Sequence, residues 1–354
     1  MVPEHLIAAQ AAKFRKQLLA WFDVQKRDLP WRRTSDPYKI WVSEIMLQQT
    51  RVAAVLGHYA DFLRRFPAVA DLANAPEPDV LTVWSGLGYY RRARMLHSGA
   101  KAVVRDHAGV LPRSSIELRT LPGIGDYTSA AIASIAFGEA VAAVDGNVER
   151  VLTRVAGLAL DRPASKSSLR PAIRKVADHL LDRTRPGDFN QAMMELGATI
   201  CLPRNPLCLQ CPVAAQCLTQ GEHPALKRKP MITRNAAFAL TVRGKSPHGT
   251  QVLLSQRPAA ARVMPGMWEL PKISEDQFNG KDAEVSLRHA IMQTNYVVHV
   301  HAMEAVALPK YRSAEGEDRW VSLDTLSSLP LTGLARKILR RVGLLEHKVA
   351  QPQI

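Results

Sequence analysis

All four cysteines of this 354-residue chain, Cys201, Cys208, Cys211 and Cys217, fall within seventeen consecutive positions. Disulfides tie distant segments together and stray core thiols scatter, so a cluster with six, two and five residues between members predicts one ligand set for one metal centre. Four thiolates suit tetrahedral zinc or a [4Fe–4S] cluster. Zinc sites usually pair two short C-x-x-C knuckles, and here only Cys208 and Cys211 make one. The looser outer spacing fits the wider corners of a cubane, so a [4Fe–4S] cluster on residues 201–217 is expected.

Two acidic residues stand where they could move protons or hold charge. Glu44, in Trp41-Val42-Ser43-Glu44-Ile45-Met46-Leu47-Gln48-Gln49-Thr50, is one helical turn from both Ile40 and Leu47. A carboxylate on an apolar stripe has its pKa raised, as a general acid or base at neutral pH requires. Asp145, in Val144-Asp145-Gly146-Asn147-Val148, precedes a short helix, where its plainer role is N-cap. One carboxyl that keeps its proton and one that stays ionised suit departure of a base from an oxocarbenium-like sugar, the logic glycosidases use.

Between two helical segments lies Leu121-Pro122-Gly123-Ile124-Gly125-Asp126-Tyr127-Thr128. This is the pattern of a tight helical hairpin over 121–128. Gly123 and Gly125 would allow backbone angles closed to other residues, and Ile124 would plug the space between the helices. Backbone N–H groups of the turn and of the next helix then face outward as a site for a DNA phosphate.

The elements that position these groups are helices. From Leu6 to Pro206 apolar residues recur at spacings of three and four, as in Phe14, Leu18, Trp21 and Phe22, and prolines cut the pattern into short helices. Residues 223–235, with the run Lys227-Arg228-Lys229, read as an exposed linker. Strands are expected at Ala236–Val242, Gln251–Gln256, Tyr296–Ala302 and Arg319–Val321, with a closing helix over Leu331–Val342. The expected architecture is therefore a multidomain α+β chain, with a helical domain over 1–222 and a smaller α+β domain over 236–354. Formal charge is +15: residues 1–235 carry 32 Lys and Arg against 21 Asp and Glu, and 236–354 carry 15 against 11. That excess points to a polyanionic partner. No apolar run reaches the roughly 20 residues a membrane span needs, and the N-terminus lacks a signal-peptide layout. A cytoplasmic location is expected, with the nucleoid as the place of action in a bacterium.

Hairpin, Val144–Val148 and cysteine spacing together resemble the helix-hairpin-helix DNA glycosylase superfamily. Within it, Ser43–Thr50, Trp84-Ser85-Gly86-Leu87-Gly88-Tyr89-Tyr90, Val144–Val148 and Phe189-Asn190-Gln191-Ala192-Met193-Met194-Glu195-Leu196-Gly197 are similar to adenine DNA glycosylases of the MutY type, from about Phe14 to Cys217. The resemblance implies a monofunctional glycosylase of base excision repair. Its substrate would be duplex DNA with adenine opposite 8-oxoguanine or guanine, bound by a monomer. It implies that Glu44 protonates the departing adenine at N7, that Asp145 stabilises the cationic sugar, and that Tyr127 and Asn147 position Asp145, water or the sugar. It places Arg27, Leu29, Trp31, Arg32 and Glu195 around the everted base. Gln49 and Tyr89 would wedge into the vacated stack, flanked by Thr50 and Leu87, with Gly123 and Gly125 on the DNA backbone. The endonuclease III branch has a lysine where this chain has Tyr127, and a phenol cannot form the Schiff base of a lyase. A bifunctional glycosylase and abasic-site lyase is the alternative reading, with a nucleotide hydrolase and a non-catalytic damage binder behind it.

Gln256-Arg257-Pro258 and Met264-Pro265-Gly266-Met267-Trp268-Glu269-Leu270-Pro271 resemble the opening of a Nudix-type domain, without the acidic helix that binds magnesium in Nudix hydrolases. The resemblance implies recognition of the opposite 8-oxoguanine. The Phe-Ser-His step common in the family is replaced by Arg288-His289-Ala290-Ile291-Met292-Gln293-Thr294-Asn295-Tyr296, where Gln293, Thr294 and Asn295 remain open as purine contacts.

Overall fold

A computed structural model of the chain describes residues 6–158, 166–222, 230–244, 249–277, 283–291, 293–313 and 316–345. The Lys227-Arg228-Lys229 run and Met292 lie outside the described residues. The chain divides into two compact units, one of Met1–Asn74 with Met95–Leu226, the other of Ala75–Arg94 with Lys227–Ile354.

The first unit is helical: α1 (Ala8–Gln25), α2 (Pro37–Leu47), α3 (Val52–Arg65) and α4 (Val69–Asn74) come before the excursion. The excursion carries α5 (Glu77–Val83) and the start of α6 (Arg91–Asp106). Then follow α7 (Ser115–Leu118), α8 (Asp126–Phe137), α9 (Gly146–Val155), α10 (Lys166–Leu180) and α11 (Pro186–Thr199). Local chemistry sets the boundaries. Asp36 caps α2 by accepting from the Tyr38 and Lys39 amides, with Pro37 already bent for the first turn. Gly138 ends α8 in the left-handed conformation at φ 72°. Phe14, Phe22, Leu152, Leu180, Phe189 and Leu196 form a core joining α1, α9, α10 and α11. Helix α2 packs on α8, α8 on α11 and α11 on α9, so three pairings bring Glu44, Tyr127, Glu195 and Asp145 to neighbouring helices.

In the second unit one sheet has the order β5 (Lys272–Ile273), β1 (Ile232–Leu240), β7 (Thr294–Ala302), β6 (Val285–Ile291), with β1 and β7 parallel and the other pairs antiparallel. The other centres on β3 (Gln251–Gln256), flanked by β2 (Val242–Arg243) and β4 (Trp268–Glu269) and by β8 (Glu317–Ser322). The short helices α12 (Leu308–Tyr311) and α13 (Leu323–Leu326) and the closing α14 (Gly333–Arg341) complete it. Val252, Leu254, Val298, Val300, Leu331 and Ile338 share its core.

Three expectations need correction. Residues 232–235, read as linker, already belong to β1: they are exposed, and it is the ladder to Thr294–Val297 of β7 that fixes them as strand. Strand β6 was not foreseen because its solvent face carries Ser286, Arg288 and Ala290 and only half its residues are apolar enough to mark it. Ala75–Arg94, expected in the helical domain, groups with the C-terminal unit. There Tyr90 Oη donates to Leu331 O at 3.1 Å and Arg94 Nη2 to Pro265 O at 2.6 Å. None of the helices among the described residues is long and apolar enough to cross a membrane.

Candidate active site

Glu44 sits on a helix buried on every side: Tyr38, Ile40, Trp41, Val42, Ser43, Ile45 and Met46 are all inside. Its carboxyl is 6% exposed, and burial lifts its pKa to about 7, helped by the charge of Asp145 and opposed by the Tyr127 hydroxyl and Arg32. Tyr127, the second residue of α8, donates its hydroxyl to Glu44 Oε2 at 2.5 Å, and Met194 Sδ lies 3.3 Å from that hydroxyl. Burial, with Glu44 and Asp145 beside it, pushes the phenol well above its ordinary range, so Tyr127 acts only as a donor.

Asp145 caps α9 as its sequence position predicts. Its Oδ1 accepts from the Asn147 and Val148 amides at 2.9 and 2.7 Å, and its Oδ2 from Asn147 Nδ2 at 3.1 Å. Burial raises this carboxyl too, with the three donors and Arg150 pulling against it. Asn147 is fixed in turn by Arg150, whose Nη2 donates to Asn147 Oδ1 at 3.0 Å and to Gly197 O at 2.6 Å.

These side chains line one cleft of about 830 Å³, inside the range of about 300–1,000 Å³ usual for small-molecule sites. Its walls include Arg27, Leu29, Trp31, Arg32, Glu44, Gln49, Thr50, Gly123, Gly125, Tyr127, Asp145, Asn147 and Glu195, all within the helical unit. Leu87 and Tyr89 belong to the other unit and are not among the walls; Leu87 is buried and Tyr89 is 52% exposed. Gln191, Met194 and Ala198 of α11 also face the cleft, as do Gln48 and Thr128, joined at 3.3 Å. With Glu195 the α11 residues follow the three-and-four spacing of one helix face, a signal that could have picked out Gln191 and Met194.

Glu195, 1% exposed, is not a second proton donor. Burial would raise its pKa, but Arg27 grips both oxygens at 2.7 Å and Arg32 Nη2 binds Oε2 at 2.8 Å, holding it at about 2. The triad makes a wall in which two guanidinium groups share one carboxylate, and Trp31, edge-on to Tyr59 at 5.3 Å, adds an apolar face beside it. Of the two hairpin glycines only Gly123 has the special conformation, at φ 80°, and a Cβ there would strike Met95 at 2.5 Å. Gly125 has ordinary extended angles and open space around it, so its missing side chain leaves backbone N–H groups accessible rather than relieving strain. Ile124 is buried between α7 and α8, as expected.

One close approach gives a direct prediction. A Cβ on Gly197 would lie 2.7 Å from Asn147 Cβ, forcing the start of α9 away from α11. Gly197→Ala should slow the chemistry of this cleft by about tenfold or more, since displacements near 1 Å can cost a hundredfold. Single-turnover rates with saturating enzyme will show this as a loss of rate, not of affinity.

The cysteines ring a second cavity, lined also by Val151, Arg154, Val155, Leu196 and Val213. A ring of thiols around a cavity is an arrangement that suits a multi-atom cluster. Burial, opposed by a backbone amide and aided by the other three thiols, pushes Cys211 to about 11, so four thiolates there require a cationic core. Arg154 is 3% exposed and donates to Cys201 Sγ at 3.3 Å, and its Nε meets no acceptor among the described residues. A buried guanidinium turned on thiolates fits a site of net negative charge. The donor set therefore suits an iron–sulfur cluster, which Cys201, Cys208, Cys211 and Cys217 would hold.

Comparison with known proteins sets this geometry in a lineage. Residues 42–176 match the family model described as HhH-GPD superfamily base excision DNA repair protein. The chain is 34% identical to an adenine DNA glycosylase of Rattus norvegicus over 96% of this chain and 80% of that one. With the adenine DNA glycosylase of Mycolicibacterium smegmatis it shares 41% identity over 65% of this chain and 77% of that one. Identity to the Homo sapiens adenine DNA glycosylase is 49%, over 59% of this chain and 40% of that protein, so this chain spans well under half of the human relative. Among solved structures, a thermostable thymine-DNA glycosylase superposes with a TM-score of 0.55 at 30% identity, covering 61% of this chain and 98% of that one. An endonuclease III–DNA complex, at 22% identity and a TM-score of 0.51, shares the fold.

Proposed function

The chain belongs to the adenine DNA glycosylase family, and on that footing we propose that it hydrolyses the N-glycosidic bond of adenine mispaired with 8-oxoguanine or guanine in duplex DNA. The observation that carries this reading is the pairing, across one cleft, of a buried acid with a pKa of about 7 and an Asp145 carboxyl capped by three donors. With the nucleotide everted, the C1′–N9 electron pair passes to the base while Glu44 delivers its proton to N7, so adenine leaves neutral. Asp145 balances the positive charge growing on the sugar. Water then adds to C1′ and its proton restores Glu44. Tyr127 holds Glu44 through both protonation states, and Asn147 fixes Asp145.

Arg27, Leu29, Trp31, Arg32 and Glu195 wall the base pocket, with Gln191 offering an amide to the purine edge. Gln49 and Tyr89, on left-handed backbone at φ 58° and 47°, serve as wedges in the base stack, Thr50 following the first and Leu87 preceding the second in the chain; Gly123 and Gly125 carry a phosphate. Among the described residues no lysine lines the cleft, and Tyr127 stands where a lyase would need one, which favours plain hydrolysis. The cluster, [4Fe–4S] in this reading, shapes the 201–217 loop for docking on DNA; the protein would bear about four irons per chain and lose DNA affinity when they are stripped. The enzyme acts as a monomer wherever chromosomal DNA is, in the nucleoid of a bacterium.

The test is a panel of mismatched duplexes, with release of free base as the readout. Adenine alone should appear, from its pairs with 8-oxoguanine and guanine, and borohydride should trap no adduct. Release of another base, or a trapped adduct, overturns the assignment.

A further inference from the structure

The link between α5 and α6 is built to hold one aromatic ring outward. Trp84, Leu87 and Tyr90 are buried, while Tyr89 stands 52% exposed on a backbone at φ 47°, following Gly86 at 110° and Gly88 at 69°. Packing does not produce a large exposed ring on a left-handed backbone; something must hold it there. Two side chains do. Trp84 Nε1 donates to Gly88 O at 3.1 Å, and Arg92 Nη2 donates to Leu87 O at 3.2 Å and Gly88 O at 3.3 Å. The Arg92 guanidinium also lies 5.5 Å from the centre of the Trp84 ring and 5.5 Å from that of Tyr89. It thus fills the space between a buried indole and an exposed phenol, pinning the turn with its N–H groups and the ring with its charge.

We infer that Arg92 is a positioning residue for DNA engagement: it keeps Tyr89 rigid as a stacking blade and acts on the duplex through that ring, not by touching DNA itself. The inference rests on the reading of Tyr89 as a residue inserted between bases. Its physical ground is that an aromatic face stacks on any base, so a ring fixed in advance loses less freedom on insertion than a mobile one. A guanidinium already committed to two carbonyls and two rings has little left to offer a phosphate.

The experiment is a double-mutant cycle on a duplex with adenine opposite 8-oxoguanine and 2-aminopurine next to the mispair. Tyr89→Ser should weaken binding by about tenfold, within what losing one base–aromatic stack gives, and should suppress the rise in 2-aminopurine fluorescence. Arg92→Met should do the same, with no further loss in the double variant and no change in the salt dependence of binding. Arg92→Lys, which keeps charge but not the planar fork, should fall between wild type and Arg92→Met, and stands in for it should that variant fold poorly.

If Arg92→Met behaves as wild type while Tyr89→Ser is impaired, the brace is wrong and the reading of Tyr89 survives. Additive losses, or a salt slope shallower by about one in Arg92→Met, mean that Arg92 contacts phosphate and also overturn the inference. If neither variant differs from wild type, the insertion of Tyr89 falls with it.

Discussion

Glu44→Gln should leave a folded protein that binds mispaired duplex normally and releases adenine about 10²–10⁴-fold more slowly, the usual worth of a positioned proton donor. Gln keeps the shape of Glu and still accepts from Tyr127, so the change removes the proton and little else. A substrate with 7-deazaadenine, which has no N7 to protonate, should be a poor substrate for the wild type and should suffer no further loss in the variant. The same substitution should stabilise the fold at neutral pH. Burial lifts the folded pKa of Glu44 from 4.5 to about 7, so stability is fully present below pH 4.5 and lost as pH rises to 7. Gln carries no such cost. Thermal melts should therefore favour the variant above pH 7 and converge with wild type in acid.

Asp145→Asn is expected to separate charge from structure. Asn caps helices about as well as Asp, so the bonds from the Asn147 and Val148 amides survive. The amide group that replaces Oδ2 now meets Asn147 Nδ2, a donor facing a donor, which costs local order but not the fold. Base release should fall by about 10²–10³, the scale on which a single electrostatic stabiliser of a transition state is worth. Single-turnover kinetics beside a thermal melt will show the two effects apart. A variant that melts several degrees lower yet excises at the wild-type rate would reduce Asp145 to a helix cap.

Much of this site is legible in the residues because its parts obey local rules. Glu44 lies on an apolar helical stripe, Asp145 at a helix start, and the cysteines in one cluster rather than spread to staple distant segments; each follows from sequence neighbours. What depends on distant partners is hidden. Glu195, Arg27 and Arg32 look like three solvated charges until α11 brings them together, and then both guanidinium groups pair with the one carboxylate. Tyr127 is legible as an absent lysine, but its bond to Glu44 spans 83 positions and needs the packing of α2 on α8. In the second unit β3 is plain from its apolar run, whereas the start of β1 and all of β6 owe their form to the β7 ladder. The grouping of Ala75–Arg94 with that unit depends on tertiary contacts with no periodicity to announce them.

The single-turnover rate of adenine release as a function of pH bears most directly on the claim that a sheltered carboxylic acid drives the reaction. A general acid works only while it holds its proton, so the rate should be high in mild acid and fall with a midpoint near pH 7, where burial places Glu44. A rate that is flat across neutral pH, or that declines already around the ordinary carboxylate range near pH 4.5, contradicts it.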